Sequence, residues 1–159
     1  MIEIRLSNAA DVPLILHLVR ELAEFERAAD KVVATEPLLH DALFGPHPAA
    51  EAVIAELDGK PVGMALFFPN FSTWTGWRGL YLEDLYVTPE ARGAGVGKAL
   101  LQHLAKLAVE RGCTRFEWSV LDWNEKAIAF YRSMGAAPME EWTVYRVTGD
   151  ALAKLAGQG

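Results

Sequence analysis

The chain has 159 residues, and its 15 basic and 21 acidic side chains leave a formal charge of −6 with an isoelectric point near 5.2. That length suits one domain with its own core, expected to run over residues 1–159. The acidic balance excludes a general nucleic-acid binder, which needs a basic face for phosphates, and 52% hydrophobic with 23% charged residues excludes a disordered chain.

Residues Met1 to Arg5 lack the basic and apolar regions of a secretory signal, and no apolar run approaches the roughly 20 residues of a membrane span. A cytoplasmic location without a membrane partner is therefore expected. Ile2, Ile4 and Leu6 alternate with Glu3 and Arg5, which predicts a first strand. Asp11 is positioned to cap the next helix, with Pro13 in its first turn and Leu14, Leu18, Leu22 and Phe25 at helical spacing. Thr35 begins a shorter helix that Gly45-Pro46 ends. A strand over 52–57, the turn signal Asp58-Gly59 and a return strand over 62–68 predict a hairpin, its loop lengthened by Lys60-Pro61. Residues 70–79 read as a loop rich in Trp and Gly, before a strongly strand-like run over 80–87. Val96 to Arg111 is an amphipathic helix with Gly112 at its end. A strand over 116–121 follows, starting just after Cys113, whose solitude rules out internal disulfides and suits a small buried side chain. Asn124 or Asp122 then caps a helix reaching Met134, residues 142–147 read as a last strand, and the tail as a weak helix. Hairpins before a strand–helix–strand crossover predict a mixed sheet covered by helices.

The informative segment joins the strand ending at Val87 to the helix beginning at Val96. Its run Arg92-Gly93-Ala94-Gly95-Val96-Gly97-Lys98 combines turn-forming glycines, a helix N-terminus and two flanking cations, an arrangement that holds an anion. Two phosphate motifs fail against it. A Walker A loop requires glycine where Arg92 stands and a hydroxyl where Ala99 stands; a dinucleotide fingerprint requires a third glycine where Lys98 stands.

What remains, Arg92 to Gly97, resembles the pyrophosphate loop of the GCN5-related N-acetyltransferases (GNAT), which bind acetyl-coenzyme A. Trp123-Asn124-Glu125-Lys126-Ala127-Ile128-Ala129-Phe130-Tyr131 followed by Gly135-Ala136 resembles that family's later Asn/Phe-Tyr segment. Tyr81-Leu82-Glu83-Asp84-Leu85-Tyr86-Val87 and Arg20-Glu21-Leu22-Ala23-Glu24-Phe25-Glu26 are similar to its diamine (spermidine/spermine and thialysine) branch. The resemblance implies an α/β fold: a mixed, mainly antiparallel sheet flanked by helices, in which a bulge opens a parallel strand pair into a V that receives the pantetheine arm.

It also implies site residues. The strand backbone at Leu85, Tyr86 and Val87 clamps the pantetheine, and Arg92, Gly93, Ala94, Gly95, Val96, Gly97 and Lys98 hold the pyrophosphate. Asn124 reaches the pantetheine arm and Arg132 the 3′-phosphate. Acyl transfer to an amine needs a base near nitrogen and an acid near sulfur; the resemblance assigns these to Glu83, through a water, and Tyr131. Glu83 and Asp84 are expected on opposite faces by strand alternation. Glu24, Glu26, Trp74, Glu83 and Asp84 are the implied contacts of a cationic acceptor. Arg27-Ala28-Ala29-Asp30 stands where the eukaryotic diamine enzymes carry a denser acidic cluster, which points to a shorter amine or a lysine-like amino acid. Homodimers are common in the family, and no metal is implied. Acetylation of a protein N-terminus or lysine, and a non-catalytic acyl-CoA sensor, are the competing readings.

Overall fold

The structure, a computed structural model, describes residues 1–158 and holds two compact units, Met1–Leu121 and the residues from Asp122 onward. In the first unit five strands pair in sequence order: β1 (Ile2–Leu6), β2 (Glu51–Leu57), β3 (Lys60–Ser72), β4 (Trp77–Val87) and β5 (Phe116–Trp118). All neighbours are antiparallel except β4 and β5, which run parallel. Three helices complete the unit: α1 (Val12–Phe25), α2 (Glu36–Phe44) and α3 (Val96–Glu110). The mixed, mainly antiparallel sheet with helical cover is as the sequence predicts.

One sheet face carries Ala52, Ile54, Met64 and Tyr86, buried with Ile15 and Leu18 of α1 and Leu43 of α2. The opposite face carries Val53, Ala65 and Phe67, all fully buried, and α3 buries Val96, Leu100, Leu101, Leu104 and Ala108. Thr35 caps α2 through the Leu38 N–H (3.3 Å), as expected. Asp11 does not cap α1 with its side chain. Its buried carboxylate accepts instead from the Asn8 N–H (2.8 Å) and from both terminal nitrogens of Arg5 (2.8 and 2.9 Å). The Arg5 bond holds the Asp11 carboxyl below its usual range, so its contribution to stability is present above that range and is lost as pH falls through the depressed value.

The hairpins differ from expectation. Asp58 and Gly59 alone form the β2–β3 turn, with φ of 50° and 83°; Leu57 pairs with Lys60, so Lys60-Pro61 belongs to β3. The segment expected to be a loop over 70–79 is mostly ladder: Pro69 pairs with Leu80, Asn70 with Gly79 and Phe71 with Arg78. The β2 ladder stops at Phe67, so the outer part of β3 has β4 alone as neighbour, and an edge tolerates a proline. β5 ends at Trp118, short of the expected Leu121.

The second unit holds α4 (Glu125–Ser133) and α5 (Gly149–Leu155). Asn124 caps α4 by accepting from the Ala127 N–H (3.3 Å). The strand expected over 142–147 is absent: the segment joins no sheet among the described residues, and Val144 and Tyr145 are 84% and 92% exposed. Alternating apolar residues stabilise a strand only when one face packs, and these do not. No helix among the described residues is long and apolar enough to cross a membrane.

Candidate active site

The site is built on a break in β4. Phe67 pairs with Leu82 and Leu66 with Asp84, so Glu83 has no partner on β3 and forms a bulge. The extra residue inverts the pleat. Leu82 shares the Phe67 face, whereas Asp84 and Tyr86 turn to the face of Leu66 and Met64, which α1 and α2 cover. The parallel ladder with β5 ends at Leu82, one residue before the bulge. From Asp84 to Val87 the strand is therefore laddered on its β3 side only. This is the opened parallel pair that the sequence resemblance implies.

The bulge turns Asp84 to the α1 face and leaves Glu83 exposed, and the Glu83 charge still acts on Asp84. Asp84 is half-buried and its carboxyl is pushed up to about 6, first by burial and then by the charges of Glu83 and Glu26. Glu26 follows the last residue of α1, and burial raises its carboxyl too. Glu83 is exposed at the bulge, and Glu24 is exposed on the last turn of α1. The charged groups acting on Asp84 are thus of its own sign, an arrangement that a cation relieves.

Trp74 does not join this group. It sits in the four-residue turn between β3 and β4, 79% exposed, with the Arg115 guanidinium 5.7 Å from its ring centre. Between Trp77 and Glu83 the strand runs about 20 Å, at roughly 3.3 Å per residue. A small amine at Glu83 is out of reach of the Trp74 in the same chain.

Tyr86 contributes backbone only on the open side of β4. Its buried ring belongs to the core, and its hydroxyl donates to Glu21 Oε1 (3.2 Å); Glu21 in turn holds His17 Nε2 at 2.8 Å. Burial and Glu21 raise the Tyr86 phenol, against an opposing effect of Arg92. Neither Glu21 nor the phenol was legible as part of the site, because nothing in the sequence signals the inverted pleat that turns Tyr86 toward α1.

The strand leads through Pro89–Ala91, a single 3-10 turn, into the glycine loop. Gly93 and Gly95 hold φ of 88° and 86°, and a Cβ at either would meet no atom within 4 Å. Gly95 is the N-cap of α3 and gives its first-turn N–H groups no side-chain acceptor. Arg92 and Ala94 already donate their N–H groups to Pro89 and Ala91. Gly97 has an ordinary φ, and its Cβ would rest 3.9 Å from Val87 Cγ2. Lys98 is exposed. The Arg92 side chain is committed elsewhere: Nε donates to the Val87 carbonyl (3.1 Å), with the guanidinium 5.5 Å from the Phe25 ring centre and 5.6 Å from that of Tyr86.

In the second unit, Tyr131 and Arg132 lie in the last turns of α4, with the Tyr131 ring 5.7 Å from that of Phe130. The Asn124 oxygen is occupied by its cap bond, leaving its NH₂ for any other contact.

The comparisons agree with this geometry. Over 98% of its length the chain is 40% identical to a thialysine N-epsilon-acetyltransferase of Sus scrofa, of which it covers 97%. It is 34% identical over 94% of its length to an L-ornithine N5-acetyltransferase of Arabidopsis thaliana, covering 85% of that protein. Among solved structures it is similar to an integron cassette protein from the mobile metagenome of V. cholerae, at a TM-score of 0.82 and 31% identity, covering 98% of this chain and 97% of that one. The model of the acetyltransferase (GNAT) family matches residues 16–136. A bulged strand feeding a glycine loop, and a family match running from α1 into α4, establish that the chain belongs to the GNAT family of N-acetyltransferases.

Proposed function

We propose that the protein moves an acetyl group from acetyl-CoA directly to the primary amine of a small cationic substrate, a diamine, a polyamine or a lysine-like amino acid. The observation that carries this is the bulge at Glu83, which frees one side of β4 for a donor and turns Asp84 toward Glu26. The names of the relatives, thialysine and L-ornithine acetyltransferases, support an amine of that size.

In this reading the backbone of Leu85, Tyr86 and Val87 holds the pantetheine arm. The open space at Gly93 and Gly95, the first-turn N–H groups of Val96 to Lys98 and the Lys98 charge hold the phosphates. Asp84, Glu26 and Glu24 hold the ammonium. An amine with an intrinsic pKa near ~10 must lose a proton before it attacks, and Glu83 accepts it through a water. The Leu85 N–H polarises the thioester carbonyl. Tyr131 returns a proton to the leaving thiolate, while the Asn124 NH₂ and Arg132 contact the pantetheine and 3′-phosphate. The family match runs from residue 16 to residue 136, which supports one N-acetyltransferase domain comprising both units. Exposed Phe71 and Trp74, three residues apart at the β3–β4 hairpin, support a homodimer, because single-copy surfaces carry few large apolar groups together. A cytoplasmic enzyme without metal, nucleic-acid or membrane partners completes the reading.

Thermal unfolding tests the donor. Acetyl-CoA at 100 times its Kd is expected to stabilise the protein by about 2.7 kcal/mol, while ATP and NAD leave the Tm unchanged. No shift at millimolar acetyl-CoA contradicts the reading.

A further inference from the structure

We infer that the side chain of Arg92 is a clamp between α1 and β4 and not a ligand of the donor's phosphates. Arg92 stands at the head of the glycine loop, where its charge suggests a phosphate contact. Its bonds point elsewhere. Nε donates to the Val87 carbonyl at 3.1 Å, at the last residue of β4. The same guanidinium lies 5.5 Å from the centre of Phe25, the last residue of α1, and 5.6 Å from that of Tyr86. Tyr86 in turn donates to Glu21 on α1, which holds His17 at 2.8 Å.

Arg92 therefore completes a set of contacts that ties the last turns of α1 to the end of β4. That helix end presents Glu24 and Glu26, and β4 presents Glu83 and Asp84. The clamp sets the spacing between the two acidic groups and so belongs to the acceptor side. Phe25, 44% exposed at the helix end, is explained by this contact. A guanidinium suits the task because one planar group can donate to a carbonyl while it lies against aromatic faces; an ammonium is a single point charge on a flexible stem.

The inference rests on the acetyltransferase reading, and the experiment keeps the two apart. Arg92→Ala and Arg92→Lys are compared with the parent chain, using acetyl-CoA and acetyl-pantetheine as donors, the second lacking the nucleotide and its phosphates. Both variants are expected to raise the KM of the amine about tenfold with either donor, the effect of a misplaced acceptor group. Amide hydrogen exchange of the free protein is expected to quicken over residues 22–28 in both. A loss seen with acetyl-CoA, absent with acetyl-pantetheine and restored by Arg92→Lys overturns the inference and makes Arg92 a phosphate ligand. Unchanged amine KM and unchanged exchange also overturn it. Failure of the parent chain to use either donor contradicts the acetyltransferase reading, while the exchange experiment still decides the clamp.

Discussion

Asp84→Asn is expected to make the free protein more stable and the enzyme worse. The Asp84 carboxyl titrates at about 6 in the folded chain, against an ordinary value of 3.8. A folded-state pKa raised in this way means that the folded protein holds the proton more tightly than the unfolded chain does. The residue's favourable contribution is complete below about 3.8, falls as pH rises, and is gone once pH exceeds about 6. At pH 8 the ionised, half-buried carboxylate is thus a standing cost. A shift of roughly two units corresponds to at most about 3 kcal/mol, and relaxation and solvent reduce it to about 1–3 kcal/mol. For a chain of this size that is a Tm gain of about 3–9 °C. The gain should fade as pH is lowered from 8 to 5, since the parent chain then protonates Asp84 itself.

The same substitution removes the charge that balances the acceptor. The amine KM is expected to rise about 10- to 100-fold, as for loss of a charge-assisted hydrogen bond. In the parent enzyme kcat/KM should fall on the acid side near pH 6, and Asp84→Asn should shift that limb to lower pH. Because Glu83 and Glu26 both act on Asp84, the limb is an apparent value of the cluster. Differential scanning calorimetry and a pH series of initial rates check the two halves. Lower stability at pH 8, or an unchanged acid limb, contradicts the account of this carboxylate.

Gly95→Ala and Gly97→Ala are expected to separate, although the residues are two apart in one glycine run. Gly95 holds φ of 86°, where an alanine costs about 1–2 kcal/mol. Its Cβ would enter a space that no protein atom occupies within 4 Å, beside the first turn of α3. That is the space proposed for the phosphates, so acetyl-CoA affinity should fall at least about tenfold, roughly the loss of one such hydrogen bond. Gly97 lies inside α3 at an ordinary φ, and a Cβ there rests against Val87 Cγ2 at 3.9 Å. Alanine at 97 should bind acetyl-CoA nearly as the parent does and gain about 0.5–1 kcal/mol of stability from its helix propensity. Isothermal titration with acetyl-CoA, paired with denaturant unfolding, checks both. Equal losses of affinity would show that the left-handed turn is not what opens the site.

The parts of the fold that rest on local chemistry were legible. Thr35 and Asn124 cap the helices they precede, Asp58-Gly59 makes its hairpin turn, and Gly112 closes α3 with φ of 77°. The glycine loop was legible because two of its glycines take conformations that other residues resist. Features that depend on partners were not. Pro69, Asn70 and Gly79 carry turn chemistry, yet they lie in a ladder because β3 and β4 extend past the end of β2. Trp142 to Val147 alternates like a strand but joins no sheet among the described residues.

The bulge at Glu83 is the main instance. Leu80 to Val87 is largely apolar apart from Glu83 and Asp84, with no glycine or proline to mark an irregularity. Only the pairing with β3 reveals that two β4 residues stand where one is expected, which moves Asp84 and Tyr86 to the α1 face. The candidate site could therefore be named from sequence, while the mutual influence of Glu83, Asp84 and Glu26 could not. Arg92 shows the reverse: its charge suggested a phosphate, and its contacts give it to Val87, Phe25 and Tyr86.

The most direct measurement is thiol release from acetyl-CoA across a panel of acceptors: thialysine, lysine, ornithine, short diamines, spermidine, spermine and peptides with free amines. Mass spectrometry of the products would show which nitrogen carries the acetyl group. The expected result is amine-dependent release with a short cationic amino acid or diamine, acetylated at its side-chain or terminal amine, and a kcat lowered about 100-fold in Tyr131→Phe. Release with peptides alone, or no amine-dependent release from any acceptor, would contradict the account.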